Sequence, residues 1–227
     1  MIRNRVKDNR MKEIKNVVFD VGDVLVHFRY RDHMRDMGFS EDAVDCLSEN
    51  MVLTPFWHEL DLGIRTEADA VEKYTKEYPQ YAEEVRAFWA NTDDLVWEYP
   101  YARPLIRGIK ALGYGVYVLS NYPTELSARH WPKFRFLPET DGHIISALEK
   151  IAKPDPAIYR LLESRFGIRL SECLFIDDRP VNIEGAKALG MDALLFTGYE
   201  ELLRELKEQY GMDVRPGEQS EIVDLEE

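Results

Sequence analysis

One short stretch limits the fold more than anything else in the chain: Val17 to Phe28, reading Val-Val-Phe-Asp-Val-Gly-Asp-Val-Leu-Val-His-Phe. Its apolar, β-branched opening breaks off at a carboxylate, Asp20, with a glycine close behind. Such a run reads as a strand buried on both faces, and strands of that kind belong to parallel sheets covered by helices. The strand delivers Asp20 to the rim of the sheet, where open α/β folds place their chemistry. Taken alone, one Asp after one strand is ordinary turn chemistry. Its weight depends on what else reaches the same rim.

From Tyr99 onward helices and strands alternate. Pro104 opens a helix whose Leu105, Ile106, Ile109 and Leu112 share one face, with Gly113 as its C-terminal cap. Val116 to Leu119 is a buried strand ending in Ser120-Asn121. Thr124 starts a short helix, and Ile144 to Ala147 is a weak strand. Asp155-Pro156 caps and opens a helix striped by Ile158, Leu161, Leu162 and Phe166, closed by Gly167. Cys173 to Ile176 is another buried strand, ending in Asp177-Asp178. Val181 to Leu189, Ala193 to Phe196 and Tyr199 to Tyr210 follow as helix, strand and helix. This alternation predicts a doubly wound parallel sheet of the Rossmann-like α/β class.

Residues 29–99 differ in character, with short helical stretches, many aromatics and no strand. Ser40 caps a helix through Cys46, Thr54-Pro55 opens Phe56 to Leu60, and Thr66-Glu-Ala-Asp69 starts a helix that Pro79 stops. A further helix covers about 81–90. The expected division is a core domain formed by 1–28 and 100–227, with a small helical domain over 29–99.

Composition removes several classes of function. A net charge of -13 opposes non-specific nucleic-acid binding, which needs Lys and Arg to displace counterions. No apolar run is long enough to span a membrane. Lys and Arg crowd the first fifteen residues without an apolar stretch behind them, which reads as a polar lead-in; the acidic stretch from Pro216 reads as a solvated tail. Cys46 and Cys173, with no disulfide pattern, read as small buried apolar residues in a reducing, cytoplasmic setting. The working expectation for assembly is a monomer or weak homodimer.

Three buried strands end in polar groups: Asp20, Ser120-Asn121 and Asp177-Asp178. Parallel strands all point one way, so these ends converge on one rim, joined by Lys153 from the loop Lys153-Pro154-Asp155-Pro156. Three carboxylates together repel, and a bound hard cation such as Mg²⁺ resolves the repulsion while favouring a phosphate. Lys153 and the Ser120 hydroxyl then hold phosphate oxygens, with backbone N–H groups near Asn121 assisting. Asp20 acts as nucleophile, forming an aspartyl-phosphate that water hydrolyses. Each piece alone is turn or cap chemistry; the conjunction carries the reading.

Phe19-Asp-Val-Gly-Asp-Val-Leu-Val26, Val118-Leu-Ser-Asn121, Ala152-Lys-Pro-Asp-Pro-Ala-Ile-Tyr159 and Leu174-Phe-Ile-Asp-Asp178 resemble the four signature motifs of the haloacid dehalogenase superfamily. The helical insertion is similar to that superfamily's small cap. Phe56 to Ile64 followed by Thr66-Glu67 looks most like the sugar-phosphate phosphatase group typified by bacterial α-glucose-1-phosphate phosphatase. The resemblance implies a Mg²⁺-dependent phosphomonoesterase acting on a small phosphorylated metabolite. It gives Asp20 as nucleophile and metal ligand, the Gly22 carbonyl and Asp178 as metal ligands, Asp177 as a direct or water-mediated ligand, and Ser120, Asn121 and Lys153 as phosphate-binding residues, Ser120 and Lys153 also serving catalysis. One departure stands out. Most of the superfamily's phosphatases carry an acid/base Asp two residues after the nucleophile, where this chain has Gly22. Loss of such a group slows departure of a poor alkoxide by about 10²–10⁴-fold. A sugar 1-phosphate, with its more acidic leaving hydroxyl, suffers less. Asp23, His27, His58 and Glu59 are the candidate substitutes, with Asp23 more simply tying down the turn. Trp57 is the aromatic expected to face the cleft. Two alternatives remain open: a haloacid dehalogenase, and a non-catalytic or signalling phosphate-binding relative.

Overall fold

The computed structural model describes residues 13–215. The expected acidic tail and most of the polar lead-in lie outside those residues. The chain opens with β1 (Asn16–Phe19), buried along its whole length, and turns through Gly22 and Asp23 into β2 (Val26–Phe28). The helical insertion follows: α1 (Tyr30–Asp36), α2 (Glu41–Leu47) with a π-helical turn behind it, α3 (Pro55–Asp61), α4 (Glu67–Glu77) and α5 (Ala82–Ala90). Then come β3 (Val96–Glu98), α6 (Ala102–Ala111), β4 (Gly115–Ser120), α7 (Thr124–His130) and β5 (Gly142–Ile145). The chain continues through α8 (Ser146–Glu149), α9 (Pro156–Phe166), β6 (Cys173–Asp177), α10 (Pro180–Ala188), β7 (Asp192–Leu195) and α11 (Tyr199–Tyr210).

The five main strands form one parallel sheet in the order β5-β4-β1-β6-β7. The chain winds outward from β1 to one side and then returns to the other, so the order reverses next to the central strand. That switch opens a crevice beyond the strand ends. Register decides what meets there. Phe19 lies opposite Ile176 on one side and Val118 on the other, which brings Asp20 level with Asp177. The Asp20 amide donates to the Ile176 carbonyl at 2.9 Å and extends the ladder by one bond.

Apolar side chains fill both faces of the sheet. On one face Val17, Phe19, Val118 and Ile176 pack under α6, α11 and the insertion, in one continuous cluster that includes Met34, Leu47, Leu60 and Phe88. On the other, Val18, Phe175 and Leu119 meet Ile158 and Leu162 of α9 and Ile183 of α10. Each fully buried Phe or Leu contributes about 1.5–3 kcal/mol.

Local signals read from the sequence hold in several places. Ser40 accepts from the Ala43 amide, and Thr66 and Asp69 form a reciprocal capping box. Asp155 accepts from the Ala157 amide, with Pro156 in the first turn of α9.

The differences are instructive. Residues 29–99 do hold a strand: β3 pairs antiparallel with β2, giving a two-stranded ribbon that carries the chain out to the insertion and back. Three residues are too few to show an alternating pattern. Thr54 does not cap α3, because its hydroxyl donates to the Met51 carbonyl and pairs with Tyr74. Helix α6 begins at Ala102, ahead of Pro104, and Leu112 falls beyond its end and is exposed. Strand β5 runs 142–145, and Ala147 belongs to the helical turn after it. Cys173 is buried, whereas Cys46 is only partly covered. No helix among the described residues is long and apolar enough to cross a membrane.

Candidate active site

The rim of the sheet assembles the site from separate strand ends. Asp20, at the end of β1, is 7% exposed and turns its Oδ1 toward two donors, its neighbour's amide (Val21, 2.7 Å) and Lys153 Nζ at 2.8 Å. Among the described residues no hydrogen bond engages its Oδ2, which leaves that oxygen available. Lys153 Nζ also donates to Asp177 Oδ2 at 2.7 Å, so one buried ammonium bridges two carboxylates. Burial pulls the Lys153 pKa down, but Asp177 and Asp20 outweigh it and the net shift is upward. Burial pushes Asp20 up to about 7, against the pull of Lys153, and Asp177 and Asp178 push the same way.

The loop that carries Lys153 is held by Asn121. Its side-chain amide donates to the Lys153 carbonyl at 3.0 Å, and its Oδ1 accepts from the Lys153 amide at 2.8 Å. These two bonds position the lysine and leave one N–H of the Asn121 amide at the cavity it lines. Ser120 is fully buried, outside the lining of the cavity, and its hydroxyl contacts the Asn121 carbonyl at 3.5 Å. To reach a phosphate with that hydroxyl, Ser120 would exchange this weak contact.

Asp177 is saturated. Its Oδ1 accepts from the Arg179 amide at 2.8 Å and from Asn182 Nδ2 at 3.0 Å, and its Oδ2 takes Lys153 and a second contact from Asn182. Asp178 is half-buried at the cavity edge, and burial, Asp177 and Asp23 raise its pKa to about 6. Oxygens of Asp20, Asp177 and Asp178 lie within 4.8 Å of one another, the one such metal-ligand group among the described residues. Two excess negative charges around a single lysine, with oxygen donors only, suit a hard divalent cation.

Gly22 lines the cavity, and a Cβ built there would meet nothing within 4 Å. Neither sterics nor backbone conformation requires glycine at that position, so the space a carboxylate would occupy is open. Of the four candidate substitutes, Asp23 ties down the turn by accepting from the Phe28 amide at 3.0 Å. His27 lies beside Asp23 and is half-exposed. Glu59 is paired with Arg65 at 2.9 Å on the surface. His58 and Asp23 both line the cavity.

The sequence reading passed over a further carboxyl in the same cavity. Asp61, at the end of α3, is 8% exposed, lines the same cavity as Asp20 and Lys153, and makes no side-chain hydrogen bond among the described residues. Burial, reinforced by Asp20, lifts its pKa to about 8, so it is protonated at neutral pH. Its position is fixed from the core side. The Ser146 hydroxyl donates to the Asp61 carbonyl while accepting from the Tyr122 amide, and Lys150 Nζ donates to the Gly63 carbonyl. Gly63 has φ +60, and a Cβ there would lie 2.5 Å from the Ala147 carbonyl oxygen. Only glycine permits that approach. A sequence signal existed: Trp57 and Asp61 are four apart on one helix and share a face.

The cavity above these groups has a volume of about 680 Å³. Trp57 faces it, stacked on Trp89 at 5.6 Å and beside Phe28 at 5.4 Å. Trp97, by contrast, is exposed beneath the Arg29 guanidinium.

Comparison with known proteins places the chain. A family model described as haloacid dehalogenase-like hydrolase matches residues 14–190. The chain is 24% identical to a sesquiterpene phosphatase of Aspergillus oryzae over 87% of its own length and 97% of the relative's. It is 23% identical to a flavin mononucleotide hydrolase of Arabidopsis thaliana, over 88% and 79% respectively. A haloacid dehalogenase family enzyme of Bacteroides thetaiotaomicron, solved with magnesium and inorganic phosphate, superposes with a TM-score of 0.64 at 21% identity, covering 84% of this chain and all of that one.

Proposed function

The chain belongs to the haloacid dehalogenase-like hydrolases, and on that premise we propose that it is a Mg²⁺-dependent phosphoric monoester hydrolase working through Asp20. The observation that carries this is the Asp20–Lys153–Asp177 bridge beneath an otherwise uncompensated carboxylate cluster. Asp20 and Asp178, with the Gly22 carbonyl, would hold the ion. Asp177, its oxygens filled by protein donors, would act through Lys153 and through water. When bound, the ion offsets charge on the phosphoryl oxygens. The magnesium and phosphate found with the Bacteroides neighbour support the same choice.

The chain's own residues then supply the steps. The free carboxylate oxygen of Asp20 attacks phosphorus, the bond from phosphorus to the ester oxygen breaks, and Lys153 offsets charge on the transferring group. Asp61, protonated, gives its proton to the departing alkoxide. The resulting Asp61 carboxylate takes a proton from water as that water attacks the aspartyl-phosphate, which releases inorganic phosphate and restores both groups. The helical insertion acts as the cap that brings Asp61 to the site.

A dehalogenase reading leaves the acidic cluster without a task. A sugar phosphate, the substrate class suggested by the subgroup resemblance, finds less support, since the relatives' names span a terpenoid and a flavin nucleotide. Two unpaired cysteines fit a cytoplasmic setting. The test is phosphate release from p-nitrophenyl phosphate with and without Mg²⁺, using Asp20→Asn as control. Metal-dependent turnover that the substitution abolishes is expected; Mg²⁺ binding without turnover on any phosphate ester would favour a signalling or binding role.

A further inference from the structure

The active-site cavity joins the polar strand ends to a largely apolar lining, and several of its polar side chains are already engaged. Thr54 is held by Met51 and Tyr74 at 3.1 and 3.0 Å. His130 is locked between the Tyr122 hydroxyl at 2.6 Å and the Thr92 carbonyl at 2.7 Å. Asn121 and Asn182 are partly engaged by Lys153 and Asp177. Away from the strand ends His58 and Asp61 are left to meet a leaving group, and the Arg179 guanidinium lines the cavity beside Asp178 at the phosphate end. The remaining wall is hydrocarbon: Phe28, Val52, Leu53, Trp57, Leu95 and Val96. Leu53, 64% exposed, offers its apolar surface to the cavity.

A hexose carries a hydroxyl on nearly every carbon, and each one buried against this wall would give up its water without gaining a partner. An alkyl or aryl chain loses nothing polar there and gains contact with Trp57, which its neighbours Trp89 and Phe28 hold in place. The volume falls within the range of about 300–1,000 Å³ that encloses a small organic molecule, well beyond a phosphate alone. We infer that the substrate is the phosphate monoester of an apolar alcohol, with its hydrocarbon seated against the Phe28, Leu53 and Trp57 wall of the cap. This rests on the phosphatase reading above and sharpens it.

The experiment is a homologous series on the full-length chain with Mg²⁺: ethyl, butyl, hexyl and octyl phosphate, beside glucose 1-phosphate, glucose 6-phosphate and p-nitrophenyl phosphate. The expected result is a kcat/KM that climbs by about two- to fourfold per methylene until the wall is covered, with both glucose esters below butyl phosphate. Leu53→Asp and Trp57→Ala should each lower the octyl-to-ethyl ratio by about tenfold. Leu53 lies at the surface, so its substitution leaves the buried core intact. A flat alkyl series, or a glucose ester ahead of octyl phosphate, overturns the substrate class while p-nitrophenyl phosphate turnover leaves the phosphatase reading standing. No release from any ester takes down both.

Discussion

The floor and the roof of the active-site cavity are built on opposite rules. The floor is a hydrogen-bonded charge network with an acidic excess: Lys153 spans Asp20 and Asp177, Asn182 and the Arg179 amide fill the remaining acceptors of Asp177, Asn121 fixes the lysine's backbone, and Asp178 stands beside them. The roof is mostly hydrocarbon and holds one unpartnered carboxyl, Asp61. A saturated network fixes geometry, which phosphoryl transfer at an invariant group requires. An apolar wall is permissive and sorts leaving groups by shape and hydration. One half thus serves the chemistry that every substrate shares, and the other the part that varies.

The sharpest way to break the floor is Lys153→Met, which keeps the length of the side chain and removes the charge. It leaves two buried carboxylates facing each other, so a loss of about 3–5 kcal/mol in denaturant stability is expected, together with loss of measurable turnover. Near-normal activity would contradict the bridge's role.

The next test targets the roof's carboxyl. Asp61→Asn should lower kcat on alkyl phosphates by about 10²–10⁴-fold, and by much less on p-nitrophenyl phosphate, whose leaving group needs no proton. Its pH profile carries the sign. Asp20 must be ionised and is raised to about 7, so activity is lost as pH falls through that value, or lower still with Mg²⁺ bound. Asp61 must be protonated and is raised to about 8, so activity on alkyl esters is lost as pH rises past it. The basic limb should vanish in Asp61→Asn. Because a Cβ at Gly22 meets nothing, Gly22→Asp in the Asp61→Asn background should return part of the lost rate. An unrescued double variant with an unchanged basic limb would argue that Asp61 only shapes the pocket.

A milder perturbation separates floor from roof by position alone. Gly63→Ala collides with the Ala147 carbonyl at a left-handed φ and displaces the end of α3. A loss of roughly tenfold in kcat/KM is expected, since small misplacements of a catalytic group are costly; a structure of the variant should show Asp61 moved and Asp20 in place.

The smallest effect is on stability, and it has the opposite sign to the effect on rate. Asp61 has a folded pKa above its unfolded value, so its contribution is fully present below about pH 4 and is lost as pH rises toward 8. At pH 8 the folded state carries the cost of a buried charge, and Asp61→Asn removes it. Its Tm should therefore rise by about 2–6 °C at pH 8 and change little at pH 4, as read by thermal melts.

Much of the floor could be read from the letters. Short apolar runs ending in Asp20, Ser120-Asn121 and Asp177-Asp178 announced parallel strands, and parallel strands put those ends together. The roof was legible only in part. Trp57 was expected at the cleft and is there, as is His58, but Glu59 was weighed and Asp61 was not. Glu59 turns outward to Arg65, whereas Asp61 shares Trp57's face. The β2–β3 ribbon escaped notice because its strands are three residues each and their pairing spans the whole insertion.

The sequence by itself determined the alternation of strands and helices, the family, and which side chains gather at the sheet's rim, because strand direction and period are local properties. Only the tertiary structure decided which of those side chains are free to act. Asn121 is tied to the Lys153 backbone, Asp177 is filled by Lys153, Asn182 and the Arg179 amide, Lys153 is shared between two carboxylates, and Asp61 is carried to the site by contacts from Ser146 and Lys150. Burial and hydrogen-bond saturation depend on what the folded chain places opposite each group, and no local pattern records that.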